Sequence, residues 1–132
     1  MVSKRNYAFL FLLALFLYGT AKNSYATHIS EPVLIKFKTE YLLGEKIVLN
    51  GWAEYNAQPT ADVLLNLKVS LPDGTVIIDQ SQQTDQQGHF EFEFDTKNLT
   101  PGIYQTTITS HCQEIHRSIC TYKNQTVEIN LK

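Results

Sequence analysis

A short stretch in which phenylalanine alternates with polar residues constrains the fold of this chain most strongly. Residues 89–94 read HFEFEF. In an extended strand successive side chains point to opposite faces, so this order places three aromatic rings on one buried face and the polar residues in water. Turn residues stand before this stretch, at Asp85–Gly88, and after it, at Pro101-Gly102. The stretch therefore predicts a β-strand that is buried on one side.

Further strand patterns, separated by turn residues, fill the chain from residue 33 onward. They begin near Val33, Lys46, Asp62, Thr75, His89, Ile103 and Ile115. In the first of them, Ile35 and Phe37 are expected to point inward, because Lys36 and Lys38 alternate with them. No stretch beyond residue 26 keeps the 3.6-residue period of a helix. Seven strands with this spacing predict an all-β, two-sheet sandwich of the immunoglobulin or fibronectin type III kind.

Two details of the strand sequences predict local irregularities. Gly51 stands inside a strand, where it indicates a bulge or the close approach of another backbone segment. In the last strand, Cys120 and the apolar residues Val127 and Ile129 have opposite parity. One strand cannot bury both sets without a shift of one residue. We therefore predict a bulge or turn at residues 123–125.

Residues 1–26 have the organisation of a secretory signal peptide. A short positive start precedes an apolar run at residues 7–18, and Ser24-Tyr25-Ala26 offers small residues at the cleavage positions. The apolar run is shorter than the roughly 20 residues that span a bilayer. We predict that residues 27–132 form one exported domain without a transmembrane segment. The alternative is an uncleaved N-terminal anchor.

The charge and the cysteine content limit which binding partners and which cellular compartment are expected for this chain. Removing Lys4, Arg5 and Lys22 with the leader from the 11 basic residues leaves 8 against 13 acidic residues. An acidic domain without a basic stripe is not expected to bind nucleic acid or an anionic membrane. Cys112 and Cys120 predict one disulfide in an exported chain, which stabilises the fold by roughly 2.5 kcal/mol. The protein is therefore expected to be secreted or periplasmic.

Four turn motifs resemble those of macroglobulin-type (MG) and related bacterial immunoglobulin-like domains, in the same order. They are Tyr41-x-x-Gly44-Glu45-x-Ile47-x-Leu49-x-Gly51, Leu71-Pro72-x-Gly74, Thr84-Asp85-x-x-Gly88-x-Phe90 and Pro101-Gly102-x-Tyr104. The resemblance covers nearly all of residues 27–132 and implies a scaffold or binding module. It does not imply protease trapping, because the chain has neither a thioester motif nor a bait region. Tyr104, just after a turn, is expected to form a tyrosine corner.

Histidines beside the cysteines and near the predicted cleavage point are candidate metal ligands. His111, Cys112, His116 and Cys120 carry the two imidazoles and two thiolates of a tetrahedral zinc site, but not with the spacing of a common zinc motif. A disulfide is the favoured interpretation, because an exported chain meets an oxidising environment. His28 would be the second residue after cleavage, where an α-amine, an amide nitrogen and the imidazole can hold copper(II). The alternative for His28 is a terminal histidine without a ligand.

No pattern in the sequence predicts catalysis. There is no nucleophile elbow and no Gly-rich phosphate loop, and Asp85, His89 and Glu91 fit a turn followed by a solvated strand face. Exposed aromatic residues are better candidates for function. Trp52 and Tyr55 are expected at one end of the sandwich as anchors for a partner, unless Trp52 packs between the sheets.

These observations predict a non-enzymatic exported module, without a cofactor, that binds a protein or a cell-envelope component through loops or a sheet edge. The glutamine-rich stretch 80–87 is either an edge for strand addition or a solvated edge. One alternative function is a small copper or zinc carrier that uses His28 or the pair His111 and His116. Another is an enzyme inhibitor that inserts the disulfide-closed loop 113–119.

Overall fold

The computed structural model describes residues 28–114, 116 and 120–132, and the predicted leader lies outside this part of the chain. The described residues form ten β-strands, with no helix that could cross a membrane. The strands are β1 (His28–Leu34), β2 (Glu40–Tyr41), β3 (Lys46–Tyr55), β4 (Gln58–Pro59), β5 (Leu64–Ser70), β6 (Val76–Gln83), β7 (His89–Asp95), β8 (Gly102–Ser110), β9 (Cys120–Tyr122) and β10 (Asn124–Leu131). The all-β prediction is confirmed, but the predicted count of seven strands is wrong. The three additional strands, β2, β4 and β9, are too short to show an alternation in the sequence.

The strands form two sheets that enclose one core. In sheet A, β3 pairs with β1 on one side and with β4 and β7 on the other, and β1 also pairs with β9. In sheet B, the order is β2, β10, β8, β5 and β6. Paired strands are antiparallel, except that β9 runs parallel to β1 and β2 runs parallel to β10. The chain crosses repeatedly between the sheets, so residues distant in sequence meet in the core.

Side chains from alternate positions of the strands fill the core. All three phenylalanines of β7 are buried, and so are Leu65, Leu67 and Val69 of β5. The buried apolar residues are Tyr41, Ile47, Leu49, Ala53, Tyr55, Val63, Leu65, Leu67, Val69, Phe90, Phe92, Phe94, Tyr104, Ile108, Val127, Ile129 and Leu131. The alternation in the sequences of β5 and β7 therefore identifies their buried faces correctly.

The first strand begins earlier than the sequence predicts, and its faces are reversed. Ile35 and Phe37 follow β1 and are 43% and 39% exposed, so their predicted inward orientation is wrong. Ser30 and Pro32 are buried instead. The Ser30 hydroxyl is satisfied in the core because its oxygen lies 2.6 Å from Ser110 Oγ. A serine and a proline on the inward face hide that face from an analysis of hydrophobic alternation.

The chain passes from sheet A to sheet B at Lys123, where the sequence predicts a bulge or turn. β9 ends before this residue in sheet A, and β10 begins after it in sheet B. The Lys123 N–H donates to Ser30 O of β1 (2.8 Å), and the Lys123 carbonyl accepts the Ser110 N–H of β8 (3.1 Å). Because the two segments belong to different sheets, Cys120 and the odd-numbered apolar residues of β10 can all pack against the core.

A tyrosine corner forms where the sequence predicts one. The Tyr104 ring is buried, and its hydroxyl donates to the carbonyl of Thr100, four residues upstream. This bond fixes the turn that leads into β8. β8 is a central strand of sheet B, since it pairs with β10 on one side and β5 on the other.

Candidate functional site

The two cysteines form a disulfide, as predicted. The Cα atoms of Cys112 and Cys120 lie 6.0 Å apart, and their sulfur atoms are bonded. A disulfide sulfur is not a thiolate, so the zinc site with two cysteine ligands is excluded for this oxidised chain. The bond closes the candidate inhibitory loop 113–119, of which residues 115 and 117–119 lie outside the described part of the chain.

A cavity of about 480 Å³ lies beside the disulfide, and one of the candidate metal ligands lines it. His111 lines this cavity, where its ring packs against that of Tyr122 with centroids 5.7 Å apart. The acidic residues Asp62 and Glu114 line the same cavity. The described residues contain no group of three or more His, Cys, Asp or Glu side chains that could hold a metal ion. His111 is therefore part of an aromatic pair and not of a larger ligand set.

The structure brings the other two candidate metal ligands together. The rings of His28 and His116 stack with centroids 4.0 Å apart and planes 19° apart. The Tyr55 ring packs against both, at 5.3 Å from His28 and 5.4 Å from His116. Tyr55 Oη lies 2.8 Å from His116 Nδ1, and Asn56 Nδ2 donates to His28 Nδ1 over 2.8 Å. We call these four residues the histidine cluster.

Tyr55 is the last residue of β3, and the prediction that it is an exposed loop residue is wrong. It has the same parity as Leu49 and Ala53, so it lies on the inward face of the strand and is only 7% exposed. Burial raises the pKa of the Tyr55 hydroxyl, and a hydrogen bond from the backbone of Gln113 opposes this rise. Tyr55 therefore contributes to the histidine cluster and not to an exposed surface.

Trp52 lies on the outer face of sheet A. It has the opposite parity to the buried residues of β3 and is half-buried. Its neighbours in register are Val33 on β1 and His89 on β7. The indole Nε1 donates to Glu54 Oε1 over 3.1 Å. The ring therefore lies on the outer face of sheet A and not between the two sheets.

Apolar side chains continue along this outer face beyond Trp52. We define the sheet A patch as Val33, Ile35, Phe37, Val48 and Trp52. Ile35 extends the pairing of β1 with β3, since its N–H donates to Asn50 O over 2.9 Å. Phe37 and Val48 line one groove of about 320 Å³. Ile35, Phe37 and Val48 are each more than a third exposed, so the patch presents apolar surface to solvent.

The middle of the outer face of sheet B is polar. Lys68, Thr107 and Thr126 lie side by side across three of its strands. Ile103 stands at the end of this face and is 45% exposed. Leu64 on β5 and Val76 on β6 are also exposed, at 45% and 47%, so sheet B carries apolar side chains at its surface as well.

Most of the sheet A patch was not predicted from the sequence, because Ile35 and Phe37 were expected in the core. The alternating lysines at 36 and 38 favoured that assignment. The pairing of Val33 with Trp52 reveals the outward face, because residues paired across antiparallel strands share a face. Such a pairing between distant segments leaves no signal in a single sequence.

The group Asp85, His89 and Glu91 is organised by the turn before β7. Asp85 Oδ1 accepts the backbone N–H groups of Gln87 and His89, each over 2.9 Å. The hydrogen bond from His89 is the largest cause of a lowered pKa of the Asp85 carboxyl, and desolvation opposes it. The carboxylate therefore stabilises the turn, in keeping with its position in the sequence.

The lowered pKa of Asp85 predicts a pH-dependent stabilisation of this turn. Because folding lowers the pKa, the contribution is fully present above the unfolded value of about 3.9 and is lost as pH falls through the folded value. We expect Asp85→Asn to have a lower melting temperature than the wild type at neutral pH. The two melting temperatures should become equal at a pH low enough to protonate the Asp85 carboxyl of the wild type in both the folded and the unfolded state. Thermal unfolding followed by circular dichroism measures this, with Glu91→Gln as the control for loss of charge. A difference that stays constant down to acidic pH would contradict the prediction.

Comparisons with known proteins give a similar fold but no family. No protein-family model and no curated protein matches the chain. An endo-β-1,4-mannanase from Thermotoga petrophila contains a similar structure, with a TM-score of 0.50 and 14% identity over 88% of this chain. This chain spans only 22% of the mannanase. The likeness therefore concerns one part of a larger enzyme and shows the fold alone.

Two further solved structures are also similar. One is the CARDB domain of a Pyrococcus furiosus protein in complex with di-metal ions, with a TM-score of 0.47 and 8% identity over 82% of this chain and 90% of that chain. The other is a β-glucosidase from Listeria innocua in complex with isofagomine, with a TM-score of 0.47 and 10% identity over 80% of this chain and 16% of that chain. Neither likeness supports an inference about ligand or activity.

Proposed function

We propose that this chain is an exported, non-enzymatic module of the immunoglobulin-like type that binds a protein partner through the sheet A patch. The observation that carries the proposal is the position of the patch. Its apolar side chains lie together on the outer face of a sheet, where a sandwich usually carries polar residues. Contiguous exposed apolar surface is typical of interaction sites.

The strand order supports the immunoglobulin-like assignment. The long strands β1, β3 and β7 of sheet A pack against the long strands β10, β8, β5 and β6 of sheet B. The chain crosses between sheets as it does in Greek-key sandwiches, and the Tyr104 corner is a feature of the same fold. The turn motifs that resemble MG domains place Gly44 and Gly74 at φ of 95° and 91°, as tight turns require. These turns support the closer kinship with that family.

The disulfide supports export. Disulfides persist in oxidising compartments and are rare in the cytosol. The leader pattern in residues 1–26 points the same way. A secreted or periplasmic location places the sheet A patch where envelope and extracellular proteins can reach it.

The patch has the composition of the centre of a protein interface. A tryptophan stands among aliphatic side chains and a phenylalanine, and tryptophan is enriched among the residues that dominate binding free energy. Removing apolar surface from water contributes about 25 cal/mol per Å². A partner with an apolar surface of its own therefore gains affinity by covering the patch, and no catalytic group is needed.

Charged residues border the patch and would orient the partner. The groove with Phe37 and Val48 is also lined by Lys36, Lys38 and Lys46. Lys46 Nζ lies 3.5 Å from Glu93 Oε2 on the neighbouring strand β7. A polar rim around an apolar centre contributes more to specificity and association rate than to affinity.

A matched pair of isoleucines on opposite sheets tests the proposal. Ile35 in the patch and Ile103 on sheet B have nearly equal exposure, 43% and 45%. We expect the wild type and Ile103→Asp to retain one protein partner from the organism's own envelope and medium after cross-linking and mass spectrometry. We expect Ile35→Asp and Trp52→Ser to lose it by at least about tenfold, which corresponds to 1.4 kcal/mol.

Three results would overturn this proposal. The partner could persist with Ile35→Asp, it could be lost equally with Ile103→Asp, or the patch could mediate self-association alone, as shown by size-exclusion chromatography. Thermal unfolding of each variant distinguishes loss of binding from loss of fold. An aspartate on an exposed strand position is expected to change stability little.

A further inference from the structure

We propose that the free edge of β7 binds an extended segment of another protein that carries basic residues at alternate positions. The segment adds one strand to sheet A on the side of β7 that faces away from β3. This site is independent of the sheet A patch and uses none of its residues. It also differs from the edge that the sequence predicts at residues 80–87, because glutamines of that stretch cover the edge of β7.

The backbone of β7 presents groups along this edge that no neighbouring strand pairs with. β7 pairs with β3 on one side, and no other described strand pairs with it. Just before β7, Gly88 O accepts the Ala53 N–H of β3 over 2.9 Å, so the even-numbered residues of β7 direct their backbone groups at β3. The N–H and carbonyl groups of Glu91 and Glu93 therefore point to the free edge, where a strand can be added.

Two glutamines of β6 cover this edge in the structure. Gln80 Nε2 donates to Glu93 O over 3.3 Å, and Gln82 Nε2 donates to Glu91 O over 2.5 Å. β6 is the last strand of sheet B, and both glutamines lie on its inward face, because they pair in register with buried leucines of β5. The two amides stand two residues apart, as the N–H groups on one side of a strand do. They therefore imitate the donors of an added strand at the two carbonyls, but they leave the N–H groups beside those carbonyls to another acceptor.

An added strand can displace this glutamine cover. Each amide donates one hydrogen bond to β7, whereas a strand supplies both a donor and an acceptor at Glu91 and at Glu93. Gln80 and Gln82 are only half-buried, so water can bind their amides once they are released. The exchange therefore adds hydrogen bonds at the edge and leaves the released amides solvated.

The turn before β7 and the end of the strand limit the length of the site. Asp85 closes the edge at His89, because its Oδ1 accepts the His89 N–H and its own N–H donates to His89 O, each over 2.9 Å. β7 ends at Asp95. The open edge therefore covers residues 91–95, which is about 17 Å of extended chain and matches a segment of roughly five residues.

The charge along this edge favours a basic segment. The side chains of Glu91, Glu93 and Asp95 alternate along the outer face of β7 and are exposed. Residues opposite each other in paired strands lie close together, and opposite charges at such positions stabilise the pairing. Lys46 contacts Glu93 at 3.5 Å and Lys97 contacts Asp95 at 3.9 Å. Glu91 therefore contributes most to the attraction of a basic segment.

The same charges disfavour a second copy of this chain as the occupant. If β7 paired with β7 of another molecule, the outward carboxylates of the two strands would lie opposite or beside each other. Like charges at opposite positions destabilise paired strands. The carboxylates therefore act against self-pairing and in favour of a basic partner.

Amide hydrogen exchange of the purified, oxidised protein, followed by NMR, tests whether the edge is open before any partner binds. We expect fast exchange at Glu91 and Glu93. We expect slow exchange at Phe90 and Phe92, because their N–H groups bond to β3. Equally slow exchange at all four residues would show that the edge is already closed and would overturn the proposal.

A fluorescently labelled peptide of seven residues, in which valine alternates with lysine, serves as the probe for binding. Fluorescence anisotropy at low salt should show at least about tenfold tighter binding than for the same peptide with glutamate in place of lysine. N-methylation at every second peptide nitrogen should abolish binding in one of the two phases only, because alternate N–H groups of an added strand face β7. Equal effects of the two phases would exclude strand addition.

Variants of the protein place the peptide at β7. Combined Gln80→Ala and Gln82→Ala should raise the affinity for the lysine peptide at least about threefold, since each removes one competing hydrogen bond. Gln83→Ala, which truncates an exposed glutamine of the same strand, should leave the affinity unchanged. Combined Glu91→Lys and Glu93→Lys should reverse the preference in favour of the glutamate peptide. Ile35→Asp should have no effect, which separates this site from the sheet A patch.

Three results with these variants would overturn the proposal. The first is an unchanged or lowered affinity after the two glutamine substitutions, in a protein that keeps its melting temperature. The second is a preference for the lysine peptide that survives the two glutamate substitutions. The third is self-association of the glutamine variant in size-exclusion chromatography without peptide, which would assign the edge to a second copy of the chain.

Discussion

Replacing Gly51 with alanine is expected to lower the free energy of unfolding by about 3–5 kcal/mol. A Cβ atom at this position would lie 1.8 Å from Val33 O and 2.9 Å from Val33 C. Both are backbone atoms of β1, so no side-chain rotation relieves the overlap. β1 must move away from β3, which disrupts the pairing of Leu34 with residue 51 and of Val33 with Trp52. Urea unfolding followed by circular dichroism measures the loss.

Gly44→Ala provides the matched control for this substitution. Gly44 has a φ of 95°, but a Cβ atom there would meet nothing within 4 Å. Its replacement therefore introduces only left-handed backbone strain, about 1–2 kcal/mol. If the two variants lose equal stability, the approach of β1 is not the reason for a glycine at residue 51. Because Val33 belongs to the sheet A patch, Gly51→Ala should also weaken partner binding, whereas Gly44→Ala should not.

Several features that depend on neighbours in the sequence were predicted correctly. The alternation of HFEFEF identifies the buried face of β7, because a strand's two faces follow directly from parity. Gly51 indicated the close approach of another backbone segment, which is β1. The opposite parity of Cys120 and the later apolar residues indicated an irregularity where the chain passes from sheet A to sheet B at Lys123. The disulfide followed from an even cysteine count in a chain that was expected to be exported. Each of these signals is local or compositional.

Features that depend on the pairing of distant segments could not be predicted. β1 buries a serine and a proline on its inward face. The Ser30 hydroxyl can be buried because Ser110 of β8 lies within hydrogen-bond distance of it, and no local pattern in the sequence reveals this contact. Tyr55 faces inward because β3 continues one residue further than its turn signal indicated. His28 and His116 were each recognised as candidate ligands, but their stacking follows only from the approach of a loop to the start of β1. The sequence therefore predicted individual candidate residues but not which of them lie together.

Phe92→Ala is expected to lower the free energy of unfolding by about 3–5 kcal/mol. Phe92 is only 2% exposed and stands in the middle of β7. Its partner in register is the buried Leu49 of β3, and its ring centroid lies 5.7 Å from that of Phe90. Truncation removes the buried ring and leaves a cavity that the packed core can fill only in part. Urea unfolding of the oxidised domain measures the change.

Phe37→Ala removes the same atoms from a side chain that is 39% exposed. We expect it to lower stability by less than about 1 kcal/mol, because solvent takes the place of the ring without a cavity. The two variants should have opposite effects on function: Phe37→Ala weakens partner binding in a stable protein, and Phe92→Ala destabilises a protein whose patch is unchanged once folded. A large loss of stability with Phe37→Ala would show that this ring packs in the core, as the sequence alone predicted, and would remove it from the sheet A patch.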